Sequence, residues 1–532
     1  MLDPKLQPKE IFEKRAEIGL DNSVKMLTEI IDKEKDNSKR KGAIKYLGLV
    51  SQDTPSLKKE CFSTLENILI SEDGIEIKCE AAKALGKIKY DKALKPLKWI
   101  LNQELNNIDI KRSVLKAIKK IRFEEEEIRL FVKELDSENV PFQDFIKNQL
   151  LALEPEKLIY ILFDSLVKEN FSDNHKKEII KVIGYELSSF IISLDDLSYL
   201  KIKYPNVISY LSKNKSNILD EITHILKEED TDLMDSIITI LKLLGREIDT
   251  DIVKLILNDD FIVKKNAIII SGKLKVADAV DLLILNLDSI YNEVSLASIE
   301  ALGEIGDLSA VPDLLDILNI EDISFEYTDI DMKFQIIDAV KSIYLNNKGA
   351  GYDHLYSYLK KENDTIREIL AFILGEIGKK EFLNPLIELL KVRNVDVKKN
   401  AAIALGKLGE IESIEHLTNV LVDPNSYWLI KKVATDAIFN IFHKNWYRVK
   451  EDEKELKRIL NKSIALLIEY LKNNENEDFK VKLSLIKFLE TYGDEKALSA
   501  LLKRVNDFHR VVRIHASNAI KKIEERLELE NN

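Results

Sequence analysis

The segment VDVKKNAAIALGKLG, residues 395–409, carries the pattern that decides the fold. Its small and apolar residues recur at helical spacing, so one face of the segment is an apolar helix face. Alanine on that face lets a neighbouring helix approach closely. The residues concerned are Ala401, Ala402, Leu405 and Leu408, and related segments are IKCEAAKALGKI, residues 77–88, and VSLASIEALGEIG, residues 294–306.

These segments share the motif Ala-Leu-Gly, which we call the A-L-G phrase, and its last residue is the phrase glycine. The motif recurs along the chain at intervals of similar length. Equivalent glycines lie 31 residues apart between Gly272 and Gly303, and 38 residues apart between Gly48 and Gly86. A period of this length holds two helices and two turns, which is too short for a separate globular domain. We therefore expect a stack of repeated helix pairs, each of which packs on its neighbours.

Glycine and proline mark the ends and starts of these helices. A second glycine follows several copies of the phrase, and glycine relieves the strain of the left-handed backbone that ends a helix. Proline follows nine or ten residues after the phrase glycine and is tolerated where a helix begins. The terminating glycines are Gly306, Gly378 and Gly409, and the prolines are Pro96, Pro312 and Pro385.

The phrase, preceded by Val or Ile and then Lys or Arg, resembles HEAT repeats of the short bacterial and archaeal type that is named after phycobilin lyase subunits. The resemblance is fullest over 262–442, good over 38–122 and 479–523, and reduced to helical periodicity over 123–245. It implies an all-α fold, an α-solenoid formed as a right-handed superhelix of about 12–15 antiparallel helix pairs.

We expect one continuous solenoid with four segments. The composition suits helices with one buried and one solvated face, because 45% of residues are hydrophobic and 32% are charged. The segments are N-terminal HEAT-like repeats at 1–122, degenerate helical repeats at 123–245, regular repeats at 246–442, and C-terminal repeats with an insertion at 443–532.

Charge and hydropathy narrow the range of environments and partners. The N-terminal residues lack the apolar core of a signal peptide, and no run of about 18 uncharged apolar residues is present, so we predict a cytoplasmic protein that does not enter a membrane. The net charge of −12 disfavours wrapping around nucleic acid, because phosphate binding depends on Lys and Arg.

A basic residue lies eight positions before the phrase glycine, or its equivalent, in 11 of 14 phased repeats. Stacking would align these side chains, which we call the basic stripe, into a positive track for an acidic partner or a phosphate backbone. Alternatively each cation pairs with an acid just upstream or with last-turn carbonyls of the neighbouring repeat, and we favour this internal ladder. The stripe comprises Arg40, Lys78, Lys111, Lys176, Lys264, Lys333, Arg367, Lys398, Lys431, Lys482 and Arg513, and the exceptions are Pro141, Ile237 and Ser295.

Function in repeat proteins concentrates where the period breaks, because loops vary without disturbing the stacked core. One break is the segment NIEDISFEYTDIDMKF, residues 319–334, which places Phe325 and Tyr327 among acidic residues. Such a loop either docks a basic peptide or folds its aromatic residues back as a solvated loop.

Another break lies at 425–478. Residues 439 and 490, which occupy the position of the phrase glycine in consecutive repeats, are 51 residues apart there. Tryptophan and tyrosine bury a large area at little entropic cost and dominate binding hot spots, so this aromatic segment is our preferred partner-binding surface. Its candidate residues are Tyr427, Trp428, Trp446 and Tyr447.

The resemblance also brings three enzyme types into consideration: bilin lyases, deoxyhypusine hydroxylase and alkylpurine DNA glycosylases. The hydroxylase type binds iron through His-Glu pairs, but none of the seven histidines is followed by Glu, and zinc spacings such as H-E-x-x-H are missing. We therefore predict a non-catalytic scaffold or adaptor that holds another protein and needs no cofactor or metal. The alternatives are a nucleic-acid-binding protein of the glycosylase kind and an enzyme of the lyase or hydroxylase kind.

Overall fold

A computed structural model of the chain describes residues 6–52, 56–71, 73–103, 107–188, 202–318, 327–361, 363–450 and 454–531. Within these ranges the chain forms 30 α-helices and no strands, which confirms the predicted all-α class. The chain divides into two compact units, which we call unit 1 (Met1–Ile248) and unit 2 (Asp249–Asn532).

Unit 1 contains 14 α-helices among its described residues, with a 3-10 turn before α7 and another after α14. Its helices are α1 (Pro8–Glu13), α2 (Arg15–Ile18), α3 (Leu20–Lys33), α4 (Asn37–Val50), α5 (Lys58–Ile70), α6 (Ile75–Ile88), α7 (Leu94–Gln103), α8 (Ile108–Ile121), α9 (Glu125–Val132), α10 (Val140–Leu150), α11 (Pro155–Lys168), α12 (Asp173–Ser188), α13 (Pro205–Ile225) and α14 (Thr231–Leu244).

Unit 2 repeats the helix pair more regularly. Its helices are α15 (Asp249–Ile256), α16 (Phe261–Leu274), α17 (Val280–Leu285), α18 (Asn292–Ile305), α19 (Val311–Ile317), α20 (Tyr327–Asn346), α21 (Asp353–Leu359), α22 (Asp364–Ile377), α23 (Leu383–Leu389), α24 (Val395–Leu408), α25 (Ser413–Val422), α26 (Trp428–Lys450), α27 (Lys454–Asn473), α28 (Phe479–Tyr492), α29 (Glu495–Arg504) and α30 (Arg510–Asn531).

In both units the second helix of one pair packs on the second helix of the next pair, and we call these the stacking helices. In unit 1 they are α4, α6 and α8, followed by a separate contact between α12 and α14. In unit 2 they run through α16, α18, α20, α22, α24, α26, α28 and α30. The first helix of each pair packs beside them, as α5 does on α6 and α25 on α26. Each unit is therefore built as an α-solenoid.

The A-L-G phrase is explained by the contact between consecutive stacking helices. A Cβ atom on Gly86 would lie 2.7 Å from the Cα of Ala117, and one on Gly375 would lie 2.7 Å from the Cβ of Ala404. Side chains do not tolerate such distances, so only glycine allows the helices this close. The same geometry joins Gly48 to Ala84, Gly272 to Ala301, Gly303 to Ala339 and Gly406 to Ala437.

The predicted helix ends are confirmed. The glycine that follows α18 has φ +83°, and the glycines that follow α22 and α24 have φ +67° and +81°. Lysine occupies the equivalent left-handed position after α6 and α16, at Lys89 and Lys275. The predicted prolines fall within the first three residues of α7, α19 and α23.

Buried charged pairs also join helices in the degenerate segment 123–245, which keeps one close glycine contact, that of Gly184 on Ser236. The buried Glu127 accepts hydrogen bonds from Lys98 at 2.9 Å and Arg122 at 2.8 Å. Asp164 is likewise buried and pairs with Arg129 and with Lys168. Burial raises the pKa of both carboxyls, but their cationic partners more than offset it and lower the pKa of Glu127 to about 2. Buried charges of this kind persist only when they are paired.

The glycine contact predicts opposite effects of one substitution at two sites in α4. Gly48→Ala places a Cβ 2.8 Å from that of Ala84, so we expect a loss of about 1–3 kcal/mol in the free energy of unfolding by overpacking. Gly42→Ala meets only Pro8, at 3.5 Å, and removes a flexible residue from a helix, so we expect a gain of about 0.5–1 kcal/mol. Urea unfolding measures both. Equal effects at the two sites would contradict the proposed role of the phrase glycine.

Glu127 predicts a specific pH dependence of stability. Because its pKa is lower in the folded state than in the unfolded chain, its ionisation stabilises the fold above pH 4.5 and this contribution disappears as the pH falls towards 2. We expect the stability advantage of the wild type over Glu127→Gln to fall by about 3 kcal/mol over that range. The exposed neighbour Glu126 provides the control Glu126→Gln. If urea unfolding shows parallel pH curves for wild type and Glu127→Gln, this account is wrong.

Candidate partner-binding surface

Many cations of the basic stripe reach a carboxylate that belongs to the next repeat. Arg40 on α4 contacts Asp73, which lies just before α6, at 3.0 Å. The sequence suggested acids just upstream of each cation, but among the described pairs only that of Arg367 with Asp364, at 3.6 Å, has this form. The other pairs are Lys111 with Glu134 at 2.7 Å, Lys176 with Glu221 at 2.5 Å, Lys431 with Glu477 at 3.0 Å, and Lys482 with Asp507 at 2.9 Å.

Main-chain carbonyls at helix ends provide the second kind of partner. Arg367 donates through Nε to the carbonyl of Leu359, the last residue of α21, at 3.1 Å. Arg40 donates in the same way to Ile31 at 3.1 Å. The last carbonyls of a helix have no partner within the helix and carry partial negative charge, so a cation stabilises them. Lys482 donates to the carbonyl of Glu475 and Arg513 to that of Asp507, in the turns that follow α27 and α29.

The remaining stripe residues differ in the interactions that they make. Burial raises the pKa of Asp73, but Arg40 and the charge of Lys78 help to lower it. Lys398 adds its charge to the main-chain hydrogen bond that lowers the pKa of Asp423. Lys264 and Lys333 are half-buried, and neither has an ion-pair partner in the part of the chain that the structure describes.

Two stripe lysines of unit 2 are buried in polar clusters between repeats. Lys431 donates to Tyr470 at 3.1 Å as well as to Glu477. Burial raises the pKa of Glu477, but Tyr470 and Lys431 offset this and lower it. Lys482 shares the buried Asp507 with the equally buried Arg504. These side chains are therefore shielded from any partner.

The aromatic segment is formed by two lengthened helices. α26 contains 23 residues and α27 contains 20, whereas α24 and α28 contain 14 each. Tyr427 is 53% exposed directly before α26, and Trp428 is half-buried as its first residue. Their ring centroids lie 5.5 Å apart. The Nζ atom of Lys480 lies 4.2 Å from the ring centroid of Trp428, so the helix starts of α26 and α28 are in contact.

Four predicted aromatic residues cannot be placed at the level of the side chain. Phe325 lies outside the described residues. Tyr327 begins α20, and Trp446 and Tyr447 lie near the end of α26, but only their backbones belong to the described part of the structure. Their assignment as partner-binding residues stays a prediction.

A groove that the sequence reasoning missed lies across α26, α28 and α30. It has a volume of about 950 Å³, compared with about 640 Å³ for a groove across α10, α12 and α14 and about 560 Å³ for one across α4, α6 and α8. We call the largest the C-terminal groove. Its residues include Phe439, Glu490 and Lys521, which occupy the phase positions where other repeats carry the phrase glycine. The absence of glycine at these three positions is not a general signal for a groove, because the other two grooves lie across helices with the close contacts of Gly48 on Ala84 and of Gly184 on Ser236.

Among the described side chains, no group of three or more His, Cys, Asp or Glu residues is arranged to hold a metal ion. In the same ranges, no helix combines the length and apolar character that a bilayer crossing requires.

Two segments match family models. Residues 352–438 match the model described as HEAT repeats, and residues 296–319 match the model described as PBS lyase HEAT-like repeat. No curated protein matches the chain.

Solved structures are similar at low identity. The crystal structure of Kap121p bound to Ste12p matches with 14% identity and a TM-score of 0.38, over 97% of this chain and 56% of that chain. The Kap95:Nup1 complex matches with 14% identity and a TM-score of 0.42, over 97% of this chain and 67% of that chain. The complex of CpcE and CpcF of phycocyanin lyase from Nostoc sp. matches with 14% identity and a TM-score of 0.22, over 46% of this chain and 94% of that chain. The chain thus spans little more than half of the first of these.

The buried stripe lysines predict an effect on stability. Lys431→Met leaves the largely buried carboxylate of Glu477 without its cation, so we expect it to reduce the free energy of unfolding by about 3 kcal/mol. Lys482→Met removes one of the two buried cations of Asp507 and leaves Arg504, so we expect a smaller loss of about 1–3 kcal/mol. The exposed Lys503 on α29 provides the control Lys503→Met, for which we expect a change within about 0.5 kcal/mol. Chemical denaturation of the single variants and of the double variant measures these effects. Unchanged unfolding together with lost ligand binding would instead favour an exposed positive track.

Proposed function

Because the chain is a HEAT-repeat protein, we propose that it acts as a non-catalytic scaffold or adaptor that binds another protein through its stacking helices and aromatic segment. Repeat solenoids present long surfaces on which many modest contacts add up to specific binding. The identity of the partner is left open by this proposal, which concerns the surface and its chemistry.

One observation carries the proposal: the aromatic segment and the C-terminal groove form a continuous surface. Lys480 lines the groove, and its Nζ atom lies over the ring of Trp428. Tyr427 extends this surface with a half-exposed ring beside Trp428. Aromatic anchors beside a cleft lined with charged groups are typical of protein recognition, because the anchors supply affinity and the charges supply selectivity.

The ion pairs and hydrogen bonds that the basic stripe makes within the protein favour a protein partner over a nucleic acid. A phosphate backbone needs a row of free cations, and its affinity rises with each phosphate that is neutralised. Several stripe residues instead hold carboxylates and carbonyls between repeats, as Arg40, Lys431 and Lys482 do. This arrangement supports the internal ladder and removes much of the positive track on which the nucleic-acid alternative depends.

The proposal predicts that aromatic substitutions weaken capture of a partner. We expect Tyr427→Ala with Trp428→Ala, and separately Trp446→Ala with Tyr447→Ala, to reduce capture of a protein from native lysate at least about tenfold, because hot-spot truncations cost about 2 kcal/mol or more. Circular dichroism should show unchanged helicity. Trp99 on α7 is 48% exposed and provides the control Trp99→Ala, which should leave capture intact. Normal capture by both double variants would rule out the aromatic segment as the binding surface.

A further inference from the structure

The C-terminal groove has an excess of positive charge, although the chain as a whole carries −12. Its described lining includes five lysines and His515 against three carboxylates. Three of the lysines have carboxylate partners within the groove. They are Lys432 with Asp436 at 2.6 Å, Lys521 with Glu525 at 3.6 Å, and Lys522 with Glu490.

The other two lysines, Lys480 and Lys487, have no carboxylate partner among the side chains that the structure describes. Both are exposed, and both are held over aromatic rings. The Nζ atom of Lys480 lies 4.2 Å from the ring centroid of Trp428, and that of Lys487 lies 5.1 Å from the ring centroid of Phe439. A ring orders an ammonium group without neutralising its charge. The two cations are therefore positioned before any ligand arrives, which lowers the entropic cost of binding.

The spacing of these cations defines a ligand. Lys480 and Lys487 are seven residues apart on α28, which places them on the same face and about 10 Å apart along the helix. In a peptide with the polyproline II backbone, which has three residues per turn, side chains three positions apart lie on the same side and are separated by about 9 Å. Two acidic residues in a Glu-x-x-Glu arrangement therefore match the two ammonium groups when the peptide lies along α28.

We propose that the C-terminal groove binds an acidic peptide of a partner protein in the polyproline II conformation, with two carboxylates three residues apart seated on Lys480 and Lys487. This inference rests on the proposed scaffold function and adds the chemistry of the partner. The groove lies between α26 and α30, so neighbouring side chains of the peptide contact Phe439 on one side and His515 on the other.

Two observations favour a peptide over a nucleic acid. The groove also contains Asp436, Glu490 and Glu525, which would repel a run of phosphates. Two unpaired lysines neutralise only about two phosphates, which is too few for strong binding to a duplex.

The groove across α10, α12 and α14 shows that this charge is not general to the fold. It is lined by Asp144, Asp232 and Asp235. Its two lysines, Lys147 and Lys181, pair at 2.8 Å and 2.5 Å with Glu178 and Asp230, which are not part of its lining. The sign of the charge is thus reversed, so an acidic ligand discriminates between the two grooves.

The test uses fluorescence anisotropy with the full chain and a fluorescein-labelled ten-residue peptide that contains a Glu-x-x-Glu pair among glycine, serine and leucine. The control peptide carries glutamine in place of both glutamates. We expect the glutamate peptide to bind at least about tenfold more tightly, and Lys480→Gln with Lys487→Gln to weaken its binding about five- to thirtyfold, because each exposed ion pair contributes up to about 1 kcal/mol.

Lys432→Gln is the matched variant, since that lysine lines the same groove but is already paired with Asp436. We expect it to change binding less than about twofold. All substituted lysines are on the surface, so thermal unfolding of the variants should match that of the wild type.

Equal binding of the two peptides, or wild-type affinity in the Lys480 and Lys487 double variant, would overturn the inference. Tighter binding of a DNA duplex with a steep salt dependence would also overturn it, in favour of a nucleic acid. Failure of the scaffold proposal is recognised separately: if the aromatic variants still capture a partner from lysate, the aromatic segment is excluded whatever the peptide does. If the aromatic variants lose capture but the peptide does not bind, the scaffold stands and the acidic peptide is wrong.

Discussion

The close contact between a glycine of one stacking helix and an alanine of the next is the constraint on which the regular repeats depend. Gly86 on Ala117 and Gly375 on Ala404 bring the two backbones so near that a methyl group does not fit between them. Each A-L-G phrase therefore supplies one half of the contact to the preceding repeat and the other half to the following repeat. Its alanine receives the glycine of the preceding repeat, its leucine fills the core, and its glycine receives the following repeat. Stability is then a sum of such interfaces between neighbours.

In its less regular segments the chain also joins its helices by contacts other than that of glycine on alanine. In the degenerate segment the carboxylates of Glu127 and Asp164 are buried with two cations each. In the C-terminal repeats the phase positions carry Phe439, Glu490 and Lys521, and the largest of the three grooves lies there. A repeat protein keeps its fold by repetition, and it gains a specific ligand at positions where the repetition is relaxed.

The periodic features of this chain could be predicted because they are properties of a single helix. Helical spacing, the left-handed glycines such as Gly306 and the early prolines such as Pro312 follow from local backbone chemistry. The partners of the basic stripe could not be predicted, because Arg40 reaches Asp73 across a complete helix whose length and turn vary between repeats. The C-terminal groove was missed for a related reason. A hydrophobic pattern reports which face of a helix is buried, and the distance between two helices depends on the side chains of both.

Helix geometry explains why the regularly spaced cations of the basic stripe differ from the lysines that are available to a ligand in the C-terminal groove. Successive residues turn by about 100°, so positions ten, seven and three before the phrase glycine share one face, whereas the position eight before it points about 100–160° away from them. In α28 the first set is Lys480, Leu483 and Lys487, which line the groove, and the second is the buried Lys482. The same offsets in α6, at Glu76, Cys79 and Lys83, line the groove beside α4. Several basic residues at the stripe position therefore join repeats, and the residues at the other three positions line the grooves.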